Sequence, residues 1–172
     1  MSRDLDDTHG TLSLDIVLRY RLTIILTSMD GDAQFIDGWQ ERTGCPIILL
    51  SLTPAHNDVS TFVAGLEHTL DGAPPADVQG GLSIFDRVTE LLNGLIAAPG
   101  DFCVVLRDYD VIDAPGVHQT VSYIVEYLPP RMHMVIVTDD LPPLENLPRL
   151  LVRRHAVVLG KPVVRVVDSP TA

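Results

Sequence analysis

The chain is poor in positive charge, in aromatic residues and in cysteine. Lys161 is its single lysine, and 12 Lys and Arg face 23 Asp and Glu, for a net charge of −11. Phosphate backbones are held by clustered Lys and Arg, so this balance excludes nucleic-acid binding by the chain alone and contact with an anionic membrane surface. No apolar run approaches the ~18 residues that a membrane-spanning helix needs. The N-terminus, MSRDLDDTHG, is acidic and unlike a signal peptide, so a cytoplasmic location is expected. Cys45 and Cys103 border or lie in apolar runs. They read as buried thiols, with no close His or Cys spacing to suggest a metal site.

What the chain has is apolar content, 46% of 172 residues, enough for one sizeable core. One domain over 1–172 is expected, with 1–12 and 168–172 flexible. The segment Phe102 to Pro143 organises the rest. Phe102–Leu106 is a short apolar run with strand composition, followed by Asp108, Tyr109 and Asp110. Pro115 suits a first helical turn, and Val117, Val121, Ile124, Val125 and Leu128 recur at helical spacing. Pro129-Pro130 stops that helix, and a second apolar run, Met132–Val137, ends in Thr138-Asp139-Asp140. Strand, helix, strand without a hairpin turn predicts adjacent parallel strands joined by a crossover.

The same alternation extends in both directions. Strands are expected at Leu22–Thr27, Ile47–Leu52, His155–Leu159 and, at an edge, Val163–Val167. Helices are expected within 13–20, over Ala33–Arg42 with Phe35, Ile36 and Trp39 on one face, after Asp58 as N-cap, over Ser83–Ala98 and near Leu144–Arg153. Thr53–Asn57 reads as a loop, and Asp71–Gly81 as an exposed one. The fold class is therefore α/β: a three-layer, doubly wound, mostly parallel sheet of five to six strands.

The segment RDYDVIDAPGVHQTVSYIVEYLPPRMHMVIVTDDLPPLENLPRLLVRR resembles the central part of the ATPase domain of MalT-type, LuxR-class transcriptional activators, which are signal-transduction NTPases of the STAND class. The shared features are Asp-Tyr after the strand, Ile-Asp, Pro, Val-His, Leu-Pro-Pro, a His in the next strand, Pro-Pro-Leu and an Arg-rich closing helix. LLSLTPAHNDVSTFVAGLEHTL resembles the family's second strand and following helix, with its Asn-Asp pair. The resemblance spans about Leu22 to Leu159 and implies a P-loop-NTPase-like core.

Each catalytic position departs from that pattern. The family's loop has the form GxxxxGK[ST], whose amides and Lys hold phosphates and whose hydroxyl holds magnesium. Here the matching stretch is Ser28–Gln34, with Gly31, one residue shorter. Counted back from Trp39, Asp32 takes the Lys position and Ala33 the Thr position; counted forward from Leu22, Ala33 takes the Lys position. No Lys or Arg occurs between Arg21 and Arg42. The magnesium-binding acid of the family falls on Arg107, its second acid on Asp108, and a common arginine on Asp139. The resemblance thus implies a vestigial nucleotide site at Ser28, Gly31, Asp32, Ala33, Arg107, Asp108 and Asp139, no cofactor, and no catalysis. The expected role is a regulatory or protein-interaction module, binding a protein partner or a second copy through an apolar edge. The alternative within the same resemblance is a nucleotide-binding switch with unusual contacts.

Two other readings rest on the residues themselves. Asp30, Asp32, Asp108 and Asp110, with Asp139 and Asp140, map to one sheet edge and suggest an acidic Mg²⁺ or Ca²⁺ pocket, though solvated loops and caps carry the same residues. Arg107 is then a partner for Asp32 or Asp139. Asp108, Thr138 and Lys161-Pro162 suggest a phospho-receiver. There is no G-x-S-x-G elbow for a hydrolase. His118 and His133 read as packing residues, and His56, on a loop with no evident partner, as the likelier functional histidine.

Overall fold

A computed structural model describes residues 14–26, 44–71 and 83–160. Five strands form one sheet: β1 Leu22–Leu26, β2 Ile47–Ser51, β3 Phe102–Arg107, β4 Met132–Thr138 and β5 Ala156–Leu159. Their order is β2-β3-β4-β1-β5, with every pairing parallel. The central strands β3 and β4 are apolar nearly throughout and buried along almost their whole length, as a sheet covered on both faces requires.

The covering helices are α1 Leu14–Arg19, α2 Val59–Asp71, α3 Ile84–Leu95, α4 Pro115–Glu126 and α5 Leu147–Val152. Alternate strand residues point to opposite faces. Leu22, Ile24, Val104, Leu106, Met134 and Ile136 join Phe62, Leu66, Val88, Val121 and Ile124 from α2, α3 and α4 in the larger core. Ile25, Cys103, Val105, Val135 and Val137 meet Val17 of α1 on the other face.

The ends follow local chemistry. Asp58 caps α2: its carboxylate accepts from the Thr61 amide at 3.0 Å and hydroxyl at 2.8 Å. Those bonds lower its pKa, the hydroxyl contributing most. Ser83 caps α3 by accepting from Asp86 N at 3.1 Å, while Asp86 accepts from Ser83 N at 3.2 Å. α3 stops at Leu95 rather than Ala98, passing into a turn in which Ala98 N donates to Leu95 O. α4 ends at Glu126, short of Leu128. α5 starts at Leu147 rather than Leu144, after a turn in which Leu147 N donates to Leu144 O. Arg154, at φ +58, ends α5, and His155 N donates to Leu150 O. β5 consequently begins at Ala156, one residue later than expected. The expected helix at Ala33–Arg42 with Trp39, the strand at Val163–Val167 and both terminal tails lie outside the described residues.

Candidate functional site

An all-parallel sheet brings every strand's carboxyl end to one rim. After β1 the chain leaves for the far edge at β2 and returns through β3 and β4; after β4 it passes over β1 to β5. The connections diverge at β1, and ligands of doubly wound folds bind in the crevice at such a switch point. Of the vestigial loop positions, Ser28, Gly31, Asp32 and Ala33 lie outside the described residues, as do Asp30 and Lys161-Pro162. The described walls are the loops after β2, β3 and β4.

β3 ends on Arg107, half-buried and paired in register with Ser51; its carbonyl accepts from Leu52 N at 2.9 Å. Asp108 follows with φ +59, a left-handed conformation that Asp tolerates better than most residues. That turn drives Tyr109 inward, 1% exposed, and leaves Asp110 in solvent. The Tyr109 hydroxyl and His118 Nδ1 share a hydrogen bond of 2.8 Å. Burial pushes the Tyr109 pKa up and the His118 pKa down, the latter partly opposed by Asp113, so both groups stay neutral. His118 also lines a cavity of about 470 Å³ with Ile112, Asp113, Pro115, Gln119 and Glu145.

The β4 end turns through Thr138, whose hydroxyl donates to the Asp140 carbonyl at 3.0 Å, while Asp139 and Asp140 reach solvent. The β2 end is tied across to these loops by Asn57. Its Nδ2 donates to Val111 O at 3.0 Å and Pro54 O at 3.2 Å; its Oδ1 accepts from Asp113 N at 2.8 Å and Ala114 N at 3.0 Å. One amide thus fixes the entry to α4 against the loop after β2. In the sequence Asn57 stands out only as half of an Asn-Asp pair.

Several expectations change. Thr53–Asn57 is not an irregular loop: Pro54–Asn57 forms a 3-10 turn. His56 has a partner after all, accepting from Thr53 N at 2.9 Å, which makes it part of that turn's cap. Arg107 takes no part in the ion pairs among the described residues, which join Arg87 to Glu67, His133 to Asp101 and Arg149 to Glu126. Of its two expected partners, Asp139 is not joined to it among those pairs, and Asp32 lies outside the described residues. Of the acidic cluster, Asp30 and Asp32 lie outside the described residues; among the described residues no three His, Cys, Asp or Glu converge as metal ligands. The phospho-receiver reading fails on topology. A receiver sheet runs 2-1-3-4-5, with the first strand beside the third; here β4 separates β1 from β3. β1 therefore does not lie beside the strand that leads to Asp108, as that chemistry needs. No helix among the described residues is long and apolar enough to cross a membrane.

No protein-family model and no curated protein sequence matches the chain. Solved structures do match. Cdc6p from Pyrobaculum aerophilum superposes with a TM-score of 0.64 at 16% identity, over 92% of this chain and 46% of that one. A Drosophila ORC structure bound to DNA gives 0.55 at 9% identity, over 86% of this chain and 83% of that one. Drosophila ORC bound to GC-rich DNA and Cdc6 gives 0.58 at 9%, over 86% and 51%. The chain has a P-loop-NTPase-like fold. At these identities the likeness is one of fold, and the chain spans about half the length of two of these three neighbours.

Proposed function

We propose that the chain is a P-loop-NTPase-like regulatory or protein-interaction module of the MalT-type STAND class that neither binds nor hydrolyses nucleoside triphosphate. Residues 1–172 are read as one such domain. The observation that carries this is Arg107. It closes β3 at the carboxyl rim, where a magnesium-binding fold needs an acid, and a guanidinium repels the ion instead of ligating it. The sequence adds Asp32 or Ala33 where the loop lysine belongs and Asp139 where an arginine belongs.

A unit charge pair at ~4 Å with an effective dielectric of ~20 interacts by about 4 kcal/mol. Exchanging attraction for repulsion at the loop position alone then weakens phosphate binding by up to ~8 kcal/mol, nearly six decades. The DNA in the neighbours' names belongs to those proteins; a net charge of −11 opposes the same role here.

Thermal unfolding with ATP, ADP and Mg²⁺ tests the reading. The expected result is no upward shift at millimolar nucleotide and no release of inorganic phosphate. An upward shift at sub-millimolar ATP would instead establish a nucleotide-binding switch. Light scattering after size exclusion, with and without a full-length relative of the MalT type, reads out self-association and partner binding.

A further inference from the structure

The rim opposite the strands' carboxyl ends holds a second cavity, of about 560 Å³, lined by Cys45, Pro46, Pro99, Gly100, Asp101 and Phe102 among others. Gly44, at φ +71, turns the chain into the short extended segment that leads to β2. The Pro46 carbonyl accepts from Cys103 N at 3.0 Å, which lays this segment against the start of β3. Two sulfurs 58 positions apart in sequence consequently lie 4.0 Å from one another. Cys103 is fully enclosed, whereas Cys45 is 8% exposed and faces the cavity. Cys45 Sγ also approaches the Asp101 carbonyl at 3.5 Å, and Asp101 Oδ1 lies 3.2 Å from His133 Nε2.

A buried cysteine by itself is a small apolar residue. Two at this separation, one lining a cavity, are a dithiol poised for covalent closure. We infer that Cys45 and Cys103 form a modification site that a hydroperoxide closes to a disulfide, with Cys45 reacting first. In the first step Cys45 gives up its proton, which the leaving hydroxide takes, and its sulfur attacks the peroxide. An S–O bond forms, the O–O bond breaks, and with that proton the departing hydroxide becomes water (or an alcohol, from an organic hydroperoxide). In the second step Cys103 gives up its proton and its sulfur attacks Cys45 Sγ. The S–S bond forms, the S–O bond breaks, and a second water leaves. Two thiols and one peroxide thus give one disulfide, the sulfurs being oxidised and the peroxide oxygens reduced.

The sulfurs must close from 4.0 Å to about 2.05 Å. Cys45 precedes the first paired residue of β2, Ile47, so its backbone is freer to follow than that of Cys103 inside β3. Burial raises both thiols above the ordinary cysteine range, Cys103 well above it. The less shifted and less enclosed sulfur is the one that meets the oxidant.

The test treats the full chain with excess hydrogen peroxide, then caps residual thiols under denaturing conditions and maps the peptides by mass spectrometry. Both thiols should disappear together. A linked pair carrying Cys45 and Cys103 should appear, lighter by two hydrogens, and melting should rise by roughly 5–10 °C, reversed by a dithiol reductant. Cys103→Ala should leave a sulfenic acid on Cys45 that dimedone traps, while Cys103 in Cys45→Ala should stay reduced until urea unfolds the chain. Independent oxidation to sulfinic acid, disulfides only between copies, or thiols in the folded wild type that survive peroxide would each overturn the proposal. The linked peptide from the wild type decides the matter even where a variant fails to fold.

Discussion

Replacing Asn57 with alanine should cost the domain about 2–3 kcal/mol. The amide makes four hydrogen bonds, two to half-buried partners, Val111 O and Ala114 N, and two at exposed positions, Pro54 O and Asp113 N. Water replaces the exposed pair cheaply. The half-buried pair loses about 1 kcal/mol each, and the polar groups left with restricted access to solvent add up to about 1 kcal/mol in all. For a chain of this size the loss corresponds to a melting temperature roughly 5–10 °C lower. Urea unfolding monitored by circular dichroism measures it, with an unchanged slope showing that only stability moved. Asn57→Asp is the internal control. It keeps an acceptor for both amides but sets a carboxylate against the Val111 carbonyl, so it should fall between wild type and alanine. A loss below about 0.5 kcal/mol for Asn57→Ala would refute the idea that this side chain ties the β2 loop to the α4 entry.

Two further outcomes are expected. Gly116→Ala places a methyl 2.8 Å from Val59 Cγ2, and valine is stiff at χ1, so this Gly→Ala change on a helix should destabilise by about 1 kcal/mol or more. A Val59→Ala background should remove most of that cost, and a double-mutant cycle showing simple additivity would contradict the contact. His118 is neutral in the fold because burial depresses its pKa below the ordinary 6.5. At higher pH folded and unfolded chains both carry it neutral; as pH falls through that value the unfolded chain takes up a proton that the folded one refuses. Stability should therefore drop as pH falls through the ordinary histidine value of about 6.5, and His118→Gln should drop less; parallel pH profiles would count against this.

The amino-acid sequence alone determined much of the order of elements. The apolar runs at Phe102 and Met132 are too short for helices and end in acids, and β3 and β4 lie there, with β3 extended by Arg107. Pro115 and Asp58 mark helix starts through chemistry that acts within one turn, and both hold. These signals are legible because propensity, capping and periodicity are properties of neighbouring residues.

What only the tertiary structure decided is which strands lie side by side. Sequence order says nothing of β1 lying between β4 and β5, yet that placement rules out the receiver reading of Asp108 and supports the P-loop-like one. It decides equally that Asn57 meets Asp113 and Ala114, that Tyr109 turns in to His118, and that Cys45 meets Cys103. Each of the first and last contacts spans more than fifty positions. Such pairings follow from packing a whole sheet between its helices, a collective outcome that no short window of residues encodes.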